Sequence, residues 1–287
     1  GAQPKGTMTS LYFGGGTPSL IEPSLIVSII DSLANCGFKA GPQTEITLEI
    51  NPATIDERKM ELYLKARINR FSVGAQTFND RLLKLINRKH DAGQTKQTIA
   101  LLRSFGVVFS LDLLFALPTQ SLEDLKLDLD EVLSFQPHHI SPYCLTVAKE
   151  HPLYRQQPQD EVQLKMFNEI SDTLENFNYR RYEISNFCRY SYESKHNSLY
   201  WNHSPYWGLG LGAHSYTSYS KWGIRYWNST SIESYKNQID LNKGKKFIFP
   251  AENLPQTNKE LLQLHQAVTD FCHTSLRTRL GLSLEKF

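Results

Sequence analysis

The chain has 287 residues, of which 40% are hydrophobic and 11% aromatic, which is enough for the core of one large domain or two modest ones. The formal net charge is only +2 and no long basic block occurs, which argues against nucleic acid or a membrane surface as a direct partner. No apolar run approaches the ~18 residues of a membrane span, and no signal-peptide pattern is found, so we expect a cytoplasmic protein.

Short apolar runs alternate with amphipathic patterns from residue 10 to about residue 185. The predicted strands are residues 10–13, 45–50, 69–73, 107–114, 139–145 and 179–184. Six strand–helix units predict a parallel sheet, because parallel strands are joined by crossover helices. The sheet is either doubly wound or curled, and six units favour an incomplete barrel that is open on one side for a large substrate.

Apolar stripes with helical spacing predict the intervening helices. The first stripe includes Leu25 and Ile29, and Phe177 ends the stripe of a long helix before the sixth strand. Residues 54–57 have the form of a capping box and should open the second helix. From about residue 256 another helix is predicted, with Leu261 and Leu262 on its apolar face.

Three glycines, Gly14, Gly15 and Gly16, directly follow the first strand. Glycine permits backbone conformations that are closed to other residues and lets a ligand approach the amide groups. The run is therefore either a tight turn or a cradle for an anionic or zwitterionic ligand.

Polar residues also stand at or just beyond the ends of later strands. They are Glu49, Gln76, Asp112 and Asn186. The carboxyl ends of parallel strands meet at one edge of a sheet, where α/β proteins bind ligands. Singly, each residue is equally well explained as a loop cap or a satisfied polar group, but the repetition predicts a shared site.

Tyrosine, tryptophan, glycine and serine dominate the chain after residue 186, with neither helical nor strand periodicity. Aromatic side chains beside His196 and His214 could hold a flat apolar ligand, with one of the histidines as nitrogen donor to its metal. The alternative is a pair of histidines that bond to the backbone within an aromatic core.

The four cysteines, at positions 36, 144, 188 and 272, are far apart and include no Cys-x-x-Cys pair. They predict free thiols in a reducing compartment and no zinc or iron–sulfur ligand set.

Several motifs together resemble those of radical S-adenosylmethionine (SAM) proteins. They are residues 14–19 (GGGTPS), 49–52 (EINP), 70–76 (RFSVGAQ), 88–90 (RKH), 112–118 (DLLFALP), 182–187 (YEISNF) and 196–201 (HNSLYW), with a GLGAHS run after them. The chain resembles the oxygen-independent coproporphyrinogen oxidase superfamily, and within it most of all the heme-chaperone branch.

The resemblance implies an α/β fold, a partial (β/α)6 radical SAM-type barrel followed by a small, truncated C-terminal domain. We expect the barrel over residues 1–190 and an aromatic, glycine-rich extension with the HNxxYW motif over residues 191–254. Residues 255–287 would begin a C-terminal helical domain.

The resemblance also implies the positions of cofactors. Gly15, Gly16 and Thr17 would cradle the methionine end of SAM, and the guanidinium of Arg88 would pair with its carboxylate.

The other implied roles concern the groups farther along the chain. Glu49, Gln76 and Asp112 would accept hydrogen bonds from the SAM amino or ribose groups. His196 would bind heme.

Two features depart from the family pattern. Proteins of the family hold a [4Fe–4S] cluster through a Cys-x-x-x-Cys-x-x-Cys run before the glycine motif, and this chain has no such run. A missing amino-terminal segment is the simplest explanation, and a natural relative without the cluster is the alternative. Without the cluster, this chain as given cannot carry out radical chemistry. Ala116 stands where the family usually has glycine, so its methyl group is expected to tighten the strand end beside Asp112.

Three functions follow from these observations. The first is a heme chaperone that passes heme to a client such as a respiratory membrane enzyme, with peripheral membrane association only through that client. The alternative is an oxygen-independent coproporphyrinogen III oxidase, a SAM-dependent oxidative decarboxylase. The third is a barrel that binds a tetrapyrrole or nucleotide without chemistry.

Overall fold

The computed structural model describes residues 6–218, 222–244 and 258–283. The chain divides into two compact units, which are described separately. The first is Met8–Glu193, and the second combines Ser194–Phe287 with Gly1–Thr7. The expected domain boundaries at 190/191 and 254/255 stay predictions, and the second of these lies outside the described residues.

The first unit alternates strands and helices as the sequence predicts. Its elements are β1 (Gly6–Phe13), α1 (Pro23–Asn35), β2 (Phe38–Ile50), α2 (Glu57–Lys65), β3 (Arg70–Gln76), α3 (Asp80–Leu85), α4 (Ala92–Ser104), β4 (Val108–Phe115), α5 (Leu122–Phe135), β5 (His139–Cys144), α6 (Asp160–Asn176), β6 (Arg180–Glu183) and β7 (Asn186–Cys188). Each predicted strand is confirmed, although β1 and β2 begin earlier than expected.

The strands form one sheet in the order β1-β2-β3-β4-β5-β7-β6. The β2–β3, β3–β4 and β4–β5 pairs are parallel, whereas β7 is antiparallel to both β5 and β6. Because β1 and β6 are edge strands, the sheet does not close on itself, and the prediction of a partial barrel is confirmed. The sixth strand is not a simple sixth parallel neighbour, since the chain turns back after β6 and inserts β7 beside β5.

Buried side chains from the sheet and the helices form the core of this unit. Phe71, Leu111 and Ile140 lie on strands and meet Leu129 and Ile170 from α5 and α6, all at 0–1% exposure. This packing is expected for a parallel sheet that helices cover.

Three local predictions about the helices need correction. Leu25 and Ile29 of α1 are 55% and 40% exposed, and Phe177 is 58% exposed at the end of α6. Helix α2 is capped by Asp56, which accepts a hydrogen bond from the Lys59 amide at 2.7 Å. The Thr54 hydroxyl instead donates to the Asn51 carbonyl, because the chain makes one more turn before the helix begins.

The second unit contains helices and a small antiparallel sheet. Its elements are α7 (Lys195–Trp201), β8 (His214–Thr217), β9 (Ile224–Trp227), α8 (Ile232–Asn242), β10 (Asn258–Leu261) and α9 (Leu264–Leu276). The three strands follow the order β10-β9-β8. In the described ranges, none of the helices of either unit combines the length and the apolar composition that a bilayer crossing requires.

The structure corrects two predictions in this unit. The aromatic segment has regular structure after all, since it begins with α7 and ends in β8. The expected helix from residue 256 is wrong at its start: residues 256 and 257 lie outside the described residues, and Leu261 pairs with Ile224 in the sheet. The helix begins only at Leu264.

Candidate functional site

A cavity of about 220 Å³ opens at the carboxyl ends of β2, β3 and β4. Its lining residues are Gly16, Thr17, Pro18, Glu49, Ile50, Asn51, Ser72, Gly74, Gln76, Arg88 and Asp112. Six of the seven residues predicted to contact SAM are among them. The seventh, Gly15, contacts the site through its amide, which donates to Glu49 Oε2 at 3.1 Å.

The sheet register explains why these side chains meet. Glu49 lies beside Ser72, and Ser72 lies beside Ser110. Asp112 follows Ser110 by two residues, so both side chains point to the same face of the sheet. The carboxyl groups of Glu49 and Asp112 therefore reach the same cavity from different strands.

The glycine loop adopts the backbone that its sequence predicts. Gly15 and Gly16 have φ values of 78° and 61°, a region that favours glycine over residues with a Cβ atom. At Gly14 a Cβ atom would lie 2.6 Å from the Tyr12 ring and 2.9 Å from Glu49 Oε1. The loop is thus closely fitted to the carboxylate beneath it.

Glu49 is held in position from two sides. Its Oε1 accepts the Tyr12 hydroxyl at 2.7 Å, and its Oε2 accepts the Gly15 amide. Burial raises the pKa of Tyr12, with the charge of Glu49 as the second cause, so the phenol keeps the proton that it donates.

Arg88 is connected to the glycine loop through Asn51. Arg88 Nη2 donates to Asn51 Oδ1 at 2.9 Å, and Asn51 Nδ2 donates to Thr17 Oγ1 at 2.7 Å. Burial lowers the pKa of Arg88 from its ordinary value, yet its guanidinium stays the cation of the cavity.

Asn51, Ser72 and Gly74 are site residues that the sequence analysis did not select. A Cβ atom at Gly74 would lie 2.9 Å from Gln76 Nε2 and 3.3 Å from Arg88 Nη2, so only glycine leaves both side chains in place. The only signals in the sequence were the positions of these three residues inside the EINP and RFSVGAQ motifs.

Asp112 brings a second carboxyl group to the cavity. Its Oδ2 accepts the Ser72 hydroxyl at 3.0 Å. Burial raises the pKa of Asp112 to about 6, against the opposing effect of that hydrogen bond. The carboxyl group therefore changes its charge close to neutral pH.

Ala116 and Asn186 lie outside the lining of this cavity. Ala116 is fully buried with φ at 56°, the left-handed region that favours glycine. Asn186 stands in β7, where its amide donates to Glu183. Of the strand-end polar residues, Asn186 alone is not brought into the shared cavity.

The cavity suits a small zwitterion that carries an additional positive charge. With Asp112 ionised, two carboxylates and one guanidinium give the side chains a net charge of −1. SAM carries an ammonium, a sulfonium and a carboxylate, so its net charge of +1 complements these groups.

The residues that the structure describes do not fit an iron–sulfur cluster. Within the described ranges, no group of three or more His, Cys, Asp or Glu side chains is arranged to hold a metal ion. Cys36 and Cys144 are exposed, Cys188 is buried in β7, and Cys272 is half-buried in α9.

His196, predicted to bind heme, lies half-buried on α7 of the second unit. Its Nε2 is 3.1 Å from the Tyr200 hydroxyl, and the two rings meet edge-on with centroids 5.1 Å apart. His214, the other candidate, is exposed and stacks on Trp227 at 5.7 Å. Both histidines thus contact aromatic side chains, as the sequence suggests.

The partial barrel, with a polar cavity at its strand ends, has the fold of a radical SAM-type protein. Residues 2–132 match the radical SAM superfamily. Coproporphyrinogen III oxidase (HemN) from Escherichia coli, described as a radical SAM enzyme, superposes on 95% of this chain with a TM-score of 0.77 at 19% identity. That likeness establishes the fold.

Sequence relatives identify the branch. The heme chaperone HemW of Buchnera aphidicola (Schizaphis graminum) is 33% identical over 265 residues, and that of Lactococcus lactis is 30% identical over 289 residues. These alignments cover 91% and 98% of this chain and 70% and 72% of the relatives. The chain therefore belongs to the HemW family of the radical SAM superfamily. It spans 55% of E. coli HemW and 64% of the HemN chain.

Proposed function

We propose that this chain is a heme chaperone, which binds heme in its second unit and delivers it to a client protein. The observation that carries the proposal is the His196 imidazole, half-buried beside Tyr200 on α7. It belongs to a chain that is about one third identical to proteins named heme chaperones. Imidazole nitrogen and phenol oxygen are both donors that heme iron accepts in proteins.

SAM is the ligand proposed for the barrel cavity. Gly15, Gly16 and Thr17 would surround its methionine end, and Arg88 would pair with its carboxylate. The family's [4Fe–4S] cluster would supply the electron that cleaves SAM, but the described residues do not offer it ligands. We therefore assign no chemical step to the cluster in this chain.

The remaining cavity groups would act as hydrogen-bond acceptors. Glu49, Gln76 and Asp112 present oxygen atoms that suit the ammonium and the ribose hydroxyl groups of SAM. The bracing of Glu49 by Tyr12 and Gly15 favours this assignment, because the carboxylate keeps its position without the ligand.

The oxidase alternative has weaker support. Oxidative decarboxylation of coproporphyrinogen would need SAM cleavage, and that step needs the reduced cluster. The likeness to HemN at 19% identity extends to the fold alone. A heme chaperone does not require the cleavage step to hold its cargo, and we expect it to meet its client in the cytoplasm.

A heme titration tests the proposal. Hemin is added to the full chain, to His196→Ala and to His265→Ala, and binding is followed by the Soret band. His265 is an exposed histidine of α9 in the same unit and controls for adventitious binding to surface imidazoles. We expect saturable binding to the full chain and to His265→Ala, with weaker binding to His196→Ala. Equal affinity of all three proteins, or no saturable binding, contradicts the proposal.

A further inference from the structure

Helix α7 presents an imidazole and a phenol as a pair. His196 and Tyr200 are four residues apart, a spacing that places them on the same face of the helix. The Nε2 atom of His196 lies 3.1 Å from the Tyr200 hydroxyl oxygen, within hydrogen-bond distance. The atom of His196 that would bind iron in the simplest assignment is therefore engaged by Tyr200.

The ring of Tyr200 is held by other aromatic side chains. It packs edge-on against Tyr206 with ring centroids 4.5 Å apart, and Tyr206 packs against Tyr216 at 6.2 Å. The backbones of Tyr206 and Tyr216 exchange two hydrogen bonds of 3.0 Å, which fixes the position of Tyr206. Tyr200 is 36% exposed despite this packing, so a planar ligand can approach it from solvent.

The two possible iron ligands, His196 Nε2 and the Tyr200 oxygen, differ in whether the hydrogen bond between the two side chains can persist. Iron binding by His196 Nε2 would require the hydrogen bond between that atom and the Tyr200 hydroxyl group to break. Iron binding by the Tyr200 oxygen would keep the two side chains together, because Nε2 can hydrogen-bond to the coordinated oxygen. Proteins do hold heme iron through tyrosine, and an anionic oxygen is a hard ligand that suits ferric iron.

We propose that Tyr200 is the protein ligand of ferric heme iron and that His196 is its positioning residue. This inference rests on the proposed heme-chaperone function. An iron–oxygen bond forms as the phenol O–H bond breaks, and the proton passes to His196 Nε2. The iron remains ferric throughout, and the protonated imidazole donates a hydrogen bond back to the coordinated oxygen.

The experiment compares the ferric heme complexes of four versions of the 287-residue chain. They are the unsubstituted chain, Tyr200→Phe, His196→Ala and Tyr206→Phe. Tyr206→Phe is the matched control, since it removes a hydroxyl group from the neighbouring ring and keeps the packing. The visible phenolate-to-iron charge-transfer band and the electron paramagnetic resonance spectrum identify the ligand, and thermal unfolding checks that every variant is folded.

We expect Tyr200→Phe to lose the charge-transfer band and to bind ferric heme about tenfold more weakly or worse. His196→Ala should keep the band with reduced affinity, and Tyr206→Phe should match the unsubstituted chain. A spectrum unchanged in Tyr200→Phe but lost in His196→Ala would make His196 the ligand; it overturns the inference and leaves the chaperone function standing. Absence of saturable binding in all four proteins overturns the chaperone function, and the inference with it.

Discussion

Asp112 shows how a single residue can connect the fold to ligand binding. Its carboxyl group accepts a hydrogen bond from Ser72 on the neighbouring strand, but burial has the larger effect and raises its pKa to about 6. The ordinary value is 3.8, so the folded chain binds this proton at pH values where the unfolded chain has released it. Folding stability from this group is therefore present at low pH and is lost as the pH rises through about 6.

We predict that the ionisation of Asp112, which lowers the folding stability, increases the affinity for SAM. The cationic ligand favours the ionised carboxylate, so its affinity should rise between pH 5 and pH 7.5, as measured by isothermal titration calorimetry. Asp112→Asn should flatten this pH dependence and weaken binding at pH 7.5 by roughly tenfold, the size of one lost charge-assisted contact.

Asp128 provides the control for this experiment. Burial also raises the pKa of its carboxyl group to about 6, but Asp128 does not line the cavity proposed for SAM. Asp128→Asn should therefore keep the pH dependence of SAM binding. A flat profile in the unsubstituted chain, or an unchanged profile in Asp112→Asn, would show that Asp112 does not contact the bound ligand.

The sequence predicted most of the cavity because Gln76 ends β3, Glu49 precedes the last residue of β2, and Asp112 lies three residues before the end of β4. Glu49, Gln76 and Asp112 are recognisable by their polar side chains after apolar runs, and parallel strands bring such positions to one edge. Ser72 was missed because a serine within a strand does not stand out as a charged residue does, and only the register shows which face it occupies. Asn51 was missed because its function is to link Arg88 to Thr17 across three loops.

At the level of secondary structure elements, strands β7 and β10 show why short elements were not predicted. Strand β7 has only three residues, Asn186–Cys188, too few to show a periodicity of their own. The apolar residues Leu261 and Leu262 suited a helix equally well, and only the pairing of Leu261 with Ile224 decides for a strand. The conformation of such short segments depends on the strands they pair with, so the pattern of apolar residues within the segment is not enough to predict it.

Helix α5 is attached to the turn after β3 by one buried carboxylate. Asp128 accepts the Thr77 hydroxyl at 2.7 Å and the Phe78 amide at 2.6 Å. Asp128→Ala leaves both donors unpaired, and we expect the free energy of unfolding to fall by about 2–4 kcal/mol. Urea unfolding at neutral pH measures it, with the exposed neighbour Asp130→Ala as the matched control. Equal stability of the two variants would show that water replaces these hydrogen bonds.

At the scale of the whole molecule, the two candidate sites belong to different compact units. Every residue that lines the cavity lies between Gly16 and Asp112, within the unit Met8–Glu193. His196 and Tyr200 lie within the unit that begins at Ser194. The proposed SAM and heme sites are thus built from separate sets of side chains.

The first unit has a core of its own, which leads to a prediction about a fragment. Among the described residues, the main cluster of buried hydrophobic side chains extends from Ile26 to Phe187. A fragment of residues 1–193 should therefore unfold cooperatively on heating, as followed by circular dichroism. It should bind SAM with the affinity of the full chain, because it keeps the whole cavity, and it should show no saturable heme binding.

Three outcomes of this experiment carry different meanings. A folded fragment that fails to bind SAM would show that the cavity residues depend on the second unit for their arrangement. A fragment that still binds heme saturably would show that the heme site lies in the barrel and does not need His196 or Tyr200. A fragment that binds SAM alone would show that heme and SAM are held by separable parts of the chain, so that any effect of one ligand on the other must be a coupling free energy between two units.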